Sequence, residues 1–403
     1  MSTVGTICNE LPLAQPQVDG RLRGELLPLH RFADLAGEWI ALQQDTACSP
    51  FSSWEWVSTW LELLPGHVRP LVFRAMDGER VVALAVLVDA PERGLARRTG
   101  RRSWHIQETG DPVLDEVTIE YGGLLARTED MEAAYRALFE VLKARPGAWR
   151  RLCISTSAQG AAVMAALPAG MHGTSVCARP SHQVDLAAVR EAGGYAEILG
   201  RSTRSSVRQT LRAYQALGPI CVETATDADT ALSWFGDFED LHTRYWRSRG
   251  AGGCFASPFF ARFHRALIER SAGKGFARLV RVTAGDLVVG YVYNLAWQRR
   301  VYYYNAGLNY GCLPRHDRPG IVSLHAIVEQ AAADGDLVFD FLAGDQDYKR
   351  RLSTGSQMLH SIEVRRDGLR ALAERTGTRL MRRHAALGVP LAEALAPSSN
   401  EED

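Results

Sequence analysis

The stretch LVFDFLAGDQDYKRRLS, Leu337–Ser353, sets a carboxylate, Asp340, inside an apolar run and follows it with the pair Tyr348-Lys349. Strand alternation puts Val338, Asp340 and Leu342 on one face and Phe339 and Phe341 on the other. An acid among such neighbours must be hydrogen-bonded, or its pKa rises. Two readings stay open: an anchor that fixes the strand, or a group that takes or relays a proton beside a reacting centre. LHTRYWRSRG offers His242 as a titratable group, with Trp246, Arg249 and Gly250 closing a helix. A lone helical histidine more often satisfies a structural hydrogen bond than transfers a proton. Arg201, Arg204, Arg208 and Arg212 step by three or four residues and share one helix face. That face is either solvated and paired with acids or a site for a phosphate-bearing partner. ETGDPVLDEVTIEYGG gathers Glu108, Asp111, Asp115, Glu116 and Glu120 around a turn and a strand. Asp111 and Glu120 flank the part expected to face the middle of the molecule, where carboxylates could bind an amine.

These residues need elements to position them. FSSWEWVSTWLELLPG reads as a helix capped by Ser52 or Ser53, and RPLVFRAMDGERVVALAVLVDAP as two strands turning at Asp77-Gly78. SWHIQET and EVTIEYGGLLA read as a second strand pair, followed by a helix over 131–144 and the strand RRLCIST. The second half repeats the plan. Helices are expected over about 195–217 and 228–248, and a third at SPFFARFHRALIERSA, with Ser257 at its cap and Pro258 at N1. The strands FARLVRVTA, LVVGYVYNLAWQ and RVYYYNAGLN follow, then the loop YGCLPRHDRPG, the helix IVSLHAIVEQAAADG and the strand LVFDFLA.

Taken in order, LGRSTRSSVRQTLRAYQALG, LHTRYWRSRG, YYYNAGL, RPGIVSLHAIVEQAAADG and DFLAGDQDYKRRL resemble the GNAT N-acyltransferase superfamily. The order is similar to CelD-like acyltransferases and, more distantly, to the FemABX aminoacyl-transferases, which are tandem GNAT folds. The specific part covers about 195–355. The resemblance implies an α/β fold of the α+β type: two GNAT-like domains, each a mixed, mainly antiparallel sheet flanked by helices. The expected division is an arm over 1–20, a degenerate domain over 21–188, an acyltransferase domain over 189–366, and a helix and tail over 367–403.

Such a fold splays two neighbouring strands to receive a thioester's pantetheine arm, polarises the carbonyl with backbone N–H, and seats the pyrophosphate at a helix N-terminus. Carried over, Tyr304, Asn305 and Ala306 line the arm, while Arg315, Arg318, Gly320 and Ile321 meet the phosphates. The superfamily's Gly-rich phosphate loop is replaced here by RHDRPG, with one glycine. That departure leaves the carrier open. Tyr348-Lys349 matches an aromatic-Lys pair near the end of the FemABX core, which implies anion stabilisation by Lys349 and a general-acid role for Tyr348. Arg204, Arg208, Arg212 and Trp246 would contact substrate, as would Asp111 and Glu120, with Asp340 and His242 as further catalytic candidates.

Composition bounds the rest. The formal net charge is zero, with 46% apolar and 23% charged residues, which suits a globular protein without a general attraction to DNA or membrane. The seven cysteines are dispersed without a CxxC, and no two histidines share a metal-ligand spacing, so a reducing, cytoplasmic setting and no metal are expected. The longest aliphatic run, VVALAVLV, is far short of a membrane span, and the N-terminus does not read as a signal peptide. No cysteine or serine stands beside a base in a nucleophile motif, so direct transfer is expected. The expected reaction moves an acyl group, acetyl first, from acyl-CoA to the amine of a small molecule, peptide or glycan. The alternatives are transfer from charged tRNA, with an acyl carrier protein as another donor, or a non-catalytic GNAT-fold protein in polysaccharide or secondary-metabolite biosynthesis.

Overall fold

The computed structural model describes residues 22–91, 102–145 and 149–366. The expected arm, residues 92–101, and the expected helix and tail after 366 lie outside the described residues. The first half runs β1 (Arg23–Pro28), α1 (Leu35–Gln44), α2 (Trp54–Leu63), β2 (Pro70–Asp77), β3 (Arg80–Pro91), β4 (Arg102–Ile106), β5 (Leu125–Ala126), α3 (Met131–Lys143), β6 (Arg151–Ser157), α4 (Gly160–Ala165) and β7 (Met171–Asp185). There follow α5 (Leu186–Glu191), α6 (Tyr195–Ile198), α7 (Arg201–Gln215), β8 (Ile220–Thr224), α8 (Ala228–Ser248), α9 (Pro258–Ser271), β9 (Ala277–Ala284), β10 (Leu287–Trp297) and β11 (Arg300–Leu308). The described chain ends with α10 (Pro319–Ala333), β12 (Val338–Ala343), α11 (Asp347–Leu352) and β13 (Gly355–Arg366).

Local chemistry explains most boundaries. Ser53 caps α2 by accepting from the Trp56 N–H, and Ser257 caps α9 ahead of Pro258. Gly78 takes the left-handed conformation (φ 58°) that the β2–β3 turn demands. The expected helix over 195–217 is two, α6 and α7, because the chain is extended at Leu199 and Gly200.

The strands among the described residues join one sheet, ordered β1-β2-β3-β4-β6-β13-β7-β12-β11-β10-β9-β8, with β5 beside β3. Two pairings are parallel. β4 meets β6 over three residue pairs, ending at His105–Cys153, and β11 meets β12 over three, ending at Tyr302–Asp340. Each is a fork where the fourth strand of an antiparallel set, β4 or β11, meets the strand that returns from a helix. The repeated plan read from the sequence is therefore a repeated fork.

Two expectations need correcting. EVTIEYG is not a strand paired with SWHIQET. It forms a turn, with Thr118 and Tyr121 at φ 43° and 56°, and only Leu125–Ala126 pair with β3. Its side chains point into the junction instead of alternating across a sheet. The second correction is β13, for which no strand was expected. It lies between β6 and β7, so residues assigned to the second half complete the sheet of the first. One apolar core also spans both halves, with Trp39, Phe51, Trp56 and Trp60 packed in the same cluster as Phe235 and Phe263. No helix among the described residues is long and apolar enough to cross a membrane.

Ile362 of β13 is buried in the core that also holds Trp104, Leu138 and Ile154 of the first half. Ile362→Ala is expected to destabilise the protein by about 2–4 kcal/mol. Urea unfolding followed by Trp fluorescence checks this; a loss under about 0.5 kcal/mol, the range of surface substitutions, would mean β13 is not part of that core.

Candidate functional site

Past Tyr302–Asp340 the second fork opens into a cleft of about 830 Å³. β11 carries an extra residue against β10 at this level: Asn305 pairs with Tyr293 but Tyr303 with Asn294, leaving Tyr304 as a bulge. Tyr304, Asn305 and Ala306 all line the cleft. The Ala306 N–H donates to the Asn305 side-chain oxygen (2.8 Å), a local bond at a level where β12 no longer pairs with β11. A ligand carbonyl at the fork can displace such a partner without breaking the sheet.

The start of α10 forms one end. Arg318, Gly320 and Ile321 line the cleft, and Arg318 also donates to Ser206 of α7 (2.7 Å). Asp317 lines it too, but its oxygens are taken by the Tyr214 hydroxyl (2.9 Å) and the Gly311 N–H (2.5 Å). Arg315 is exposed and does not reach the cleft.

The opposite wall comes from the first half. Glu120 is 8% exposed and lines the cleft, and its Oε2 accepts from the Ala343 N–H at 2.6 Å. Burial pushes its pKa up to about 7, against the lowering effects of that N–H and of Lys349. Lys349 is 6% exposed and donates to the Leu342 (3.2 Å) and Ala343 (2.9 Å) carbonyls, which takes two of its three N–H bonds. Burial lowers its pKa, opposed by Glu120 and Asp340. Tyr348 lines the cleft with a hydroxyl that burial raises to about 12.

Asp340 is 0% exposed and does not line the cleft. Its Oδ1 accepts from Ser181 (2.7 Å) and the Leu342 N–H (2.8 Å), its Oδ2 from Tyr121 (2.5 Å) and Gln183 (2.9 Å). With four donors on two oxygens it has no capacity left for a substrate proton. The relay role read from the sequence is corrected to that of an anchor, which holds Leu342 at φ 61° and so aims the Leu342 and Ala343 backbone at Lys349 and Glu120.

His242 and Trp246 line the cleft together, the Trp246 Nε1–H donating to His242 Nε2 (2.9 Å). The neighbour that sequence reasoning missed is Cys254, whose Sγ lies 3.5 Å from the same nitrogen and accepts from Asn305 Nδ2 (3.3 Å). No spacing rule brings Cys254 to His242. The chain doubles back at Gly253 (φ 63°), where a Cβ would meet the imidazole at 2.5 Å. This thiol–imidazole contact puts a cysteine beside a base without any nucleophile motif in the sequence. Desolvation, however, lowers the histidine to about 4 and raises the thiol to about 12, so both are neutral and no thiolate–imidazolium pair forms.

The remaining candidates stay outside. Arg204 and Arg208 pair with Glu197, and Arg204 also donates to the Leu199 carbonyl; Arg212 is exposed. None lines the cleft, so α7 presents a solvated, acid-paired face there. Asp111 likewise stays in its own loop, accepting from the Val113 N–H. No group of three or more His, Cys, Asp or Glu among the described residues is arranged to hold a metal ion.

Residues 201–350 match the family model described as an acetyltransferase (GNAT) domain. The crystal structure of FemX superposes with a TM-score of 0.54 at 11% identity, covering 81% of this chain and 95% of that one. The C-terminal domain of a putative lysylphosphatidylglycerol synthetase from Agrobacterium fabrum gives 0.48 at 12% identity (85% and 97%), and a tandem GNAT protein from the clavulanic acid biosynthesis pathway 0.43 at 14% (86% and 99%). No curated protein matches. The GNAT likeness is thus shown by the family model over 201–350, and the FemX comparison shows a shared fold over most of the chain.

Asp340→Asn puts an amide N–H₂ among four donors. It is expected to cost about 1.5–3 kcal/mol, read as a lowered urea midpoint. An unchanged midpoint would remove the anchor from this account.

Proposed function

We propose that the protein is an N-acyltransferase that moves an acyl group, acetyl first, from acyl-CoA to an amine by direct attack in the cleft between its halves. The observation that carries this is the fork itself: a strand pair that parts after Tyr302–Asp340 beside an Ala306 N–H that donates to the Asn305 side chain. The thioester arm lies along Tyr304–Ala306, with its carbonyl oxygen on the Ala306 N–H and its phosphates toward Arg318 and the first amides of α10. Glu120, with a pKa near 7, takes the proton of the attacking amine as the C–N bond forms. The C–S bond breaks, and Tyr348 protonates the departing thiolate while Lys349 stabilises its charge. Cys254 and His242, both neutral, shape the cleft wall and form no acyl-enzyme. The CelD-like motif order and a cytoplasmic setting belong to the same reading.

The single glycine of the phosphate loop favours keeping one other donor in view, charged tRNA. A thermal-shift panel of acetyl-CoA, longer acyl-CoAs, acyl carrier protein and charged tRNA separates the cases. Acetyl-CoA at about 100 times its Kd should add roughly 2.7 kcal/mol of stability, a rise of several degrees. A shift with charged tRNA alone would replace the donor, and no shift with any donor would favour a non-catalytic binding protein.

With a confirmed acceptor, kcat/KM should rise with pH as Glu120 loses its proton near 7 and level off above it. Glu120→Gln should lower the rate about 100-fold or more and remove that limb, with acetyl-CoA affinity unchanged. A pH profile that survives the substitution would assign the base elsewhere.

A further inference from the structure

The first fork also opens into a space. Beyond His105–Cys153 there is a cavity of about 250 Å³ walled by Glu108 and Asp115, by Ser155 and Thr156 of β6, by Arg179 of β7 and by Ser361 of β13. It adjoins the cleft: Thr118 lines both, and Arg179 acts electrostatically on Glu120 across the wall. The Glu108 Oε2 accepts from Ser155 (2.6 Å), whereas its Oε1 receives no hydrogen bond among the described residues. Desolvation raises this carboxyl to about 7, as expected of an acid that water does not reach freely. Asp115 differs in that its Oδ1 already accepts both the N–H (2.7 Å) and the hydroxyl (2.8 Å) of Thr109. Arg179 is exposed, and its guanidinium makes no hydrogen bond among the described residues.

A sequestered carboxylate with one free oxygen, facing a free guanidinium across a small polar cavity, complements a zwitterion. We propose that this cavity binds the α-amino-acid end of a diamino-acid acceptor, its ammonium on Glu108 and its carboxylate on Arg179, while the distal amine passes Thr118 toward Glu120. The fate of that distal amine rests on the acyl-transfer reading; the binding does not.

Calorimetric titration of the full chain with lysine, ornithine and cadaverine tests this, beside an acetyl-CoA thermal shift on the same samples. Lysine or ornithine should bind, and cadaverine, which lacks the carboxylate, about tenfold or more weaker. Glu108→Gln and Arg179→Gln should each weaken the diamino acid by a similar factor and leave the acetyl-CoA shift unaltered. Arg179 is exposed, so its variant serves if Glu108→Gln fails to fold. Diamino-acid binding lost in these variants, without any acetyl-CoA response, would keep the cavity assignment and sink the transferase reading. An acetyl-CoA shift with no diamino-acid binding, or with binding indifferent to both residues, would overturn the proposal made here.

Discussion

One buried carboxylate holds the site together. Asp340 stands where β12 parts from β11, and the donors around it come from three places: Tyr121 in the first half, Ser181 and Gln183 on β7, and the backbone two residues ahead. In a low-dielectric interior a carboxyl group needs its hydrogen-bonding capacity filled, so each donor is drawn to a defined position. The Tyr121 hydroxyl also accepts from Gln357 of β13 (2.8 Å), which ties the strand inserted from the chain's end into the same network. The left-handed turn at Leu342, the carbonyls that Lys349 meets and the N–H that Glu120 accepts all follow from this one group.

A second chain of polar contacts secures the other side of the fork. The Tyr304 hydroxyl donates to the Val117 carbonyl, so it must accept from His264 Nε2–H (3.0 Å), which leaves Nδ1 to accept from Tyr293 (3.2 Å). Burial lowers this histidine far below its ordinary value, which keeps the ring neutral and the tautomer single. The bulge residue of β11 is thereby fixed to the first half through its own hydroxyl. Both walls of the site thus depend on the short turn Asp115–Tyr121, a segment with hardly any regular structure.

That dependence explains what the sequence did and did not disclose. Periodicity and caps located the helices and hairpins, and the order of five motifs located the fork, because each is a local property of the chain. Asp340 was visible as an anomaly, yet its role turns on Tyr121, Ser181 and Gln183, more than 150 residues away in the chain. EVTIEYG alternates like a strand, and tertiary hydrogen bonds overrode that pattern. The arginine row of α7 obeyed helical spacing, but Glu197, at the end of a separate short helix, neutralised it. Cys254 and His242 meet only because a left-handed glycine returns the chain, a backbone event that residue spacing does not encode.

The insertion of β13 between β6 and β7 has a consequence for how the protein comes into being. A chain made from its N-terminus usually folds its first domain while the second is still being synthesised. Here the strand that fills the gap in the first sheet ends at Arg366, among the last described residues. The first half must therefore wait on the ribosome with β6 lacking one neighbour and β7 lacking both, exposed edges of the kind that attract foreign strands. Synthesis of the second half sets the length of that exposure, so anything that slows its translation prolongs the interval in which the first half is open to mispairing.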